Sequence, residues 1–258
     1  MSSRSREEAT EKHYDRVPFD VVDESQEALE AFQIPPLRDF IRNVGPEDIV
    51  LDVGCGAGRT SIYLHRLGMH VIGLELSTGS LKAIRARQAV PLVHASNMAL
   101  PFQSGSIDAI ISDGVIPYTD DPRGALAETL RVMKDDGKLF VALYKRDHYY
   151  YYLYTYVGGA LRFVLRRVPF GDRVLDLTFL PLYHGLRNMI RRSRGSGWQR
   201  SRALFYDYFL APSIRFYTRD QVVSWAESMG GRCTRYDQCP GWNAHTFYID
   251  KMPARGAA

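Results

Sequence analysis

The chain is poor in cysteine. Cys55, Cys233 and Cys239 are its three among 258 residues. An odd, small number excludes a disulfide framework. None of the three has metal-ligand spacing or a nearby His pair, so no metal is expected, and free thiols in a reducing cytoplasm are. Long apolar runs are also missing. The uncharged aromatic and apolar stretch at residues 149–161 is shorter than the ~18 residues of a spanning helix, so no transmembrane segment is expected. The N-terminal stretch MSSRSREEATEKHYD carries no apolar signal segment. No internal repeat or low-complexity tract is evident. The net charge of +4 is too mild to mark a nucleic-acid partner by itself. What remains is a chain able to bury one sizeable core, or one core with an appended cap.

What is present centres on IVLDVGCGAGRTS, residues 49–61. An apolar run passes through Asp52, breaks at Gly54, Gly56 and Gly58, and continues with helical spacing. A buried strand, a tight glycine turn and a helix N-terminus let backbone approach a ligand closely. A dinucleotide fingerprint needs a glycine at 59, where the chain has Arg59, and a triphosphate-binding Gly-Lys-Ser/Thr is absent. Glu75 stands 21 residues after Gly54, where a carboxylate can accept from ribose hydroxyls. The residues describe a site for a ribose-bearing cofactor without a pyrophosphate.

Strand and helix signals alternate around this stretch. Strands are expected at 70–74, 90–94, 107–112 and 138–144, with helices starting after Ser77 and at Arg123. Residues 1–12 read as a frayed tail. Residues 13–20 (HYDRVPFD) read either as an arm on the sheet or as a segment folded over a ligand. Residues 24–43 read as helical, broken at Pro35-Pro36. After residue 145 the rhythm stops. Residues 146–210 hold nine of the sixteen tyrosines. Thr218 and Gln221 then have capping-box spacing for a last helix, and two strands follow about Pro240-Gly241. The expected fold is α/β: a Rossmann-like, doubly wound seven-stranded sheet, mostly parallel with an antiparallel last strand. A helical insert lies between the fifth strand and the last helix. The divisions are an N-terminal arm (1–45), a cofactor-binding core (46–145), a Tyr/Arg-rich insert (146–210) and a C-terminal helix with two strands (211–258).

Five segments, in order, resemble the class I S-adenosylmethionine-dependent methyltransferases, especially the group that includes the ubiquinone and menaquinone methylases. They are LDVGCGAG (51–58), GLELS (73–77), ASNMALPF (95–102), IDAIISDGVIPYTDDP (107–122) and LRVMKDDGKLFVALY (130–144). The resemblance implies an enzyme with S-adenosylmethionine as cofactor. It puts Asp52, Gly54, Cys55, Gly56 and Gly58 at the glycine turn, with Gly54 and Gly56 against the methionine and ribose parts. Glu75 holds the ribose hydroxyls and Leu76 packs on the adenine. Ser96, Asn97 and Met98 meet the adenine, and Asp113 and Gly114 lie near the methionine end. The family often has an acid where this chain has Ser96-Asn97, and a neutral acceptor there weakens the contact.

Methyl transfer from a sulfonium needs alignment and exclusion of water, and a hydroxyl acceptor needs a base. His148, Tyr118 and Asp207 are the candidate catalytic residues. The expected acceptor is a small or medium-sized aromatic or apolar molecule methylated at oxygen, with the insert as a lid. A plain helical cap is the bland alternative, and residues 149–167 also fit peripheral contact with a membrane. The acid-free run bounded by Arg187 and Arg202, with six arginines and Trp198, fits RNA phosphates or a solvated loop. An RNA-modifying methyltransferase and a non-catalytic cofactor-fold protein are the two rival readings.

Overall fold

The computed structural model describes residues 3–16, 25–191, 197–238 and 243–252. Its elements in order are α1 (Ser3–Arg16), α2 (Gln26–Phe32), α3 (Pro35–Arg42), β1 (Ile49–Val53), α4 (Arg59–Arg66), β2 (His70–Glu75), α5 (Thr78–Arg85) and β3 (Leu92–His94). β4 (Ile107–Asp113), α6 (Pro122–Val132) and β5 (Met133–Tyr144) complete the parallel half. The insert comprises α7 (Tyr149–Tyr152), α8 (Gly159–Arg167), α9 (Gly171–Arg191) and α10 (Trp198–Phe205), with π-helical turns at Leu153–Gly158 and Tyr206–Leu210. α11 (Arg219–Ser228), β6 (Gly231–Asp237) and β7 (Ala244–Lys251) close the chain.

The seven strands form one sheet of order β3-β2-β1-β4-β5-β7-β6. β1 to β5 pair in parallel, and β7 runs antiparallel to both β5 and β6. The order reverses between β1 and β4, so a crevice opens beyond their carboxyl ends. Alternate residues of the strands supply two cores. Leu51, Ile110, Leu139 and Val141 face Leu126, Leu130, Val222 and Ala226 of α6 and α11. Val50, Ala109, Ile111 and Phe140 face Leu37, Phe40, Ile62 and Ile84 of α3, α4 and α5. Continuous apolar strands are what burial on both faces requires.

Local chemistry sets the element ends. Ser77 caps α5 by accepting from the Ser80 amide, Asp121 caps α6 through the Gly124 amide, and Thr218 caps α11 through the Gln221 amide. Pro35-Pro36 fill the first turn of α3, where proline's missing N–H is harmless. Two expectations change. The third strand is only Leu92–His94, because Pro91 offers no amide to extend the ladder. Residues 3–12 are not a frayed tail: α1 runs from Ser3 to Arg16 and docks on α5. Cys239 and the Pro240-Gly241 turn lie outside the described residues, as do residues 192–196 of the basic run and 17–20 of the N-terminal segment.

Candidate active site

The glycine turn hangs from β2. The amides of Gly54 and Cys55 both donate to the Leu74 carbonyl, at 2.7 and 3.0 Å. Gly54, Gly56 and Gly58 all have positive φ, a region closed to most side chains. A Cβ on Gly54 would collide with Val115, and one on Gly58 with Ile84 at 2.8 Å. These two glycines permit close packing within the protein. Gly56 and Gly114 differ, since a Cβ on either would meet no atom within 4 Å. Both line open space at the strand ends.

The other residues expected at this site divide in the same way. Asp52 turns inward and accepts from Ser61 Oγ at 2.6 Å, bracing the first turn of α4. Burial raises its pKa to about 7, opposed by the Ser61 hydrogen bond. The Cys55 thiol is pushed up by burial and then by the neighbouring Asp52 and Glu75 charges, so it is no nucleophile. Asp52, Cys55 and Gly58 therefore shape the turn from beneath. Glu75 Oε1 accepts from the amides of Leu76 and Ser77, at 2.9 and 2.8 Å, and Oε2 from the Gly56 amide at 2.9 Å. A carboxylate has about four acceptor positions, which leaves one. The Leu76 carbonyl bonds His94 Nε2, and Ser96 Oγ accepts from the Met98 amide. The Asn97 amide nitrogen is buried with no hydrogen-bond partner among the described residues, which a buried donor rarely tolerates without a ligand or water. Asp113 is exposed at the end of β4. Desolvation nonetheless raises its pKa, with Arg59 opposing. Its carboxylate is thus open to solvent yet crowded by protein atoms.

Beyond the ends of β4 and β5, the insert closes a cluster that joins two of the three predicted catalytic residues. Asp207 Oδ1 accepts from Tyr118 Oη and from Tyr14 Oη, both at 3.1 Å. Tyr118 Oη bonds Tyr144 Oη at 2.9 Å. Four segments meet here: α1, the turn after β4, the end of β5 and the second π-helical turn. The rings pack edge to face, with centroids of Tyr14–Tyr118 at 5.8 Å and Tyr118–Tyr144 at 5.9 Å. Burial moves the Asp207 carboxyl up to about 6, against the lowering by the two phenol hydrogen bonds and by Arg59. The three phenols are raised by burial and the Asp207 charge, so they remain protonated donors. Asp207 Oδ2 takes no hydrogen bond among the described residues.

His148 does not join this cluster. Its Nδ1 accepts from the Tyr150 amide and caps α7, and burial with Lys145 nearby lowers its pKa. The residues that sequence reasoning missed are Tyr14 and Arg59. Tyr14 sits in the aromatic N-terminal segment, which was the available signal. Arg59 registered only as a missing glycine, yet it is the cation facing both Asp113 and Asp207. Its guanidinium lies 4.9 Å from the Phe32 ring, which also takes Arg200 of the insert at 5.3 Å. Within the basic run, Arg202 pairs with Asp176 at 2.9 Å and Trp198 packs on His184.

A doubly wound sheet with a glycine turn and an acid after β2 is the arrangement that receives a ribose-bearing ligand at the strand ends. Residues 51–141 match the family described as methyltransferase domain. The chain is 39% identical over 98 residues to a demethylmenaquinone methyltransferase of Renibacterium salmoninarum, covering 38% of this chain and 41% of that protein. It is 30% identical over 158 residues to a ubiquinone biosynthesis O-methyltransferase of Aromatoleum aromaticum, covering 58% of this chain and 66% of that one. The chain thus spans about two fifths of the first relative's length. The solved 1,6-didemethyltoxoflavin-N1-methyltransferase of Burkholderia thailandensis shares the fold with a TM-score of 0.57 at 14% identity, over 98% of this chain and 92% of that one. Residues 51–141 are a methyltransferase domain, of the class I S-adenosylmethionine-dependent kind. S-adenosylmethionine is its cofactor.

Proposed function

We propose that this chain methylates a hydroxyl of a small or medium-sized aromatic or apolar acceptor, with Asp207 as the base. The observation that carries the reading is the Asp207 carboxylate, held by two phenols on one oxygen and left with the other free. A pKa of about 6 suits a base working near neutrality. S-adenosylmethionine, when bound, supplies an electrophilic methyl group on its sulfonium. The chain's part is to hold, align and dry the acceptor. Asp207 Oδ2 takes the acceptor's hydroxyl proton as its oxygen is alkylated. Tyr14, Tyr118 and Tyr144 keep the carboxylate oriented and give an aromatic wall.

The residues fit the cofactor. Gly56 and Gly114 leave room for its methionine and ribose parts, the remaining acceptor position of Glu75 suits a ribose hydroxyl, and Leu76 and Met98 suit the adenine faces. The unpartnered Asn97 amide suits the adenine edge. Asp113, opposite Arg59, suits the methionine end. The quinone names of the relatives support a hydroxylated ring as acceptor. Free thiols at Cys55 and Cys233 suit the cytoplasm.

The test is incubation with methyl-labelled S-adenosylmethionine and a cell extract, followed by identification of the labelled product. Label in a small aromatic ether supports the reading. Label in RNA, retained with a steep dependence on salt, supports the rival use of the basic run. No label with any fraction, despite bound cofactor, supports a non-catalytic protein.

A further inference from the structure

The insert buries its own small core. Leu161 and Leu165 of α8 pack on Leu175 and Leu180 of α9, with Phe205 and Leu210 behind them. With these inward residues accounted for, the outward face of α9 should be polar. It is the reverse. Val174, Leu177, Leu182, Leu186 and Met189 point outward, with Leu177 79%, Leu182 69% and Met189 70% exposed. The remaining exposed positions among them are Thr178, Phe179, Pro181 and Gly185, all uncharged. Asp176 is drawn back to Arg202 at 2.9 Å, and His184 is bonded to Ser201.

Charge collects at the α8–α9 corner, where Arg167 lies over Phe163 at 5.2 Å and Arg173 over Phe170 at 5.4 Å. Both rings are exposed. Among the described residues the only acid of α9 without an ion pair is Asp172. No helix among the described residues is long and apolar enough to cross a membrane. An uncharged helical face about 22 Å long, flanked at the α8–α9 corner by cations and rings, has the composition of a helix that lies in a lipid interface.

We propose that the outward face of α9 docks on the surface of an anionic lipid bilayer, with Arg167 and Arg173 at the headgroup phosphates. A second copy of the chain fits less well. Two-fold antiparallel pairing of α9 would set the Arg167–Arg173 corner of one copy against the far end of the other, where residues 187–202 hold no acid to meet it. A bilayer supplies both the apolar layer and the opposite charge.

The full chain is tested by sedimentation with vesicles of phosphatidylcholine alone and of phosphatidylcholine containing phosphatidylglycerol. The wild type should bind the second at least about tenfold more tightly than the first. The triple variant Leu177→Glu/Leu182→Glu/Leu186→Glu should lose binding to both while keeping its stabilisation by S-adenosylmethionine, which certifies the fold. Arg167→Glu/Arg173→Glu, at exposed positions outside the core, should lose the preference for anionic vesicles, so the idea stands or falls even if the triple variant is unstable. Wild-type protein left in the supernatant with both vesicles, or equal binding by either variant, overturns the proposal. So does a wild-type dimer in sedimentation velocity that the triple variant abolishes without any vesicle binding, which would assign the face to a second copy.

Discussion

In the proposed reaction Asp207 is the residue on which the chemistry turns. Its ionised form is disfavoured by burial and rescued in part by two phenols, so small changes there should have large effects. Asp207→Asn keeps the shape and removes the proton acceptor. It should lower kcat by about 10²–10⁴-fold, the usual worth of a positioned base. In the wild type kcat should rise through about pH 6, where Asp207 ionises, and this ascending limb should vanish in the variant. A wild-type limb retained in Asp207→Asn would assign the base elsewhere. Glu75 makes a second residue-level prediction. At a cofactor concentration ~100 times Kd, S-adenosylmethionine should stabilise the protein by ~2.7 kcal/mol. Glu75→Ala should lose most of that shift in a thermal melt, and an undiminished shift would refute a ribose contact. Glu75 was legible from its distance to Gly54. Asp207 was legible only as an acid among aromatics, and nothing local said that Tyr14, 193 positions away, would bond it.

At the scale of elements, the two π-helical turns bring the insert onto the site. Gly158, in the first, lies so close to the second that an added Cβ would stand 2.8 Å from the Phe209 carbonyl. Arg162 ties the same turns, donating to the Phe209 carbonyl at 2.6 Å and to the Tyr154 carbonyl at 3.1 Å. Gly158→Ala should therefore loosen the insert at a cost of ~1–3 kcal/mol. Limited proteolysis should cut it faster, while cofactor binding by the core persists. α1 is the other attached element. Asp15 accepts from Ser77 Oγ at 2.6 Å and from the Gly79 amide at 3.1 Å, which pins α1 to the start of α5. Removing residues 1–16 should reduce turnover more than it reduces the melting temperature, because Tyr14 leaves Asp207 but no core residue is lost. The core strands could be read from their apolar runs. α1 could not, since a polar segment without an apolar stripe has no helical signal; its helix is held by tertiary contacts.

The whole molecule carries an electrostatic strain that a pH series should expose. Folded-state pKa values of about 7 for Asp52 and about 6 for Asp207 stand above the ordinary carboxylate range. Between about pH 4 and pH 7 the folded chain thus binds more protons than the unfolded one, and these groups make stability fall as pH rises. Asp108 and Glu128, lowered by Lys134 and Arg131, act in the opposite sense at the acid end of that range. Comparison with a variant isolates the effect. In urea titrations at pH 5, 6 and 8, Asp207→Asn should gain on the wild type as pH increases. A constant difference would mean that Asp207 titrates normally.

The sequence by itself determined the sheet, the glycine turn and the acid after the second strand. Each rests on residues close in the chain: alternating burial along strands, φ values open only to glycine, and a fixed span from Gly54 to Glu75. Only the tertiary structure decided which glycines face open space, which acids turn inward and which tyrosines reach Asp207. Those outcomes depend on where distant segments pack. Gly54 and Gly56 look alike in sequence and differ only because Val115 lies against one of them. The uncharged stretch of α9 could be counted in the sequence. That its apolar residues point away from the protein depends on Leu161, Leu175 and Leu180 having already filled the insert's core.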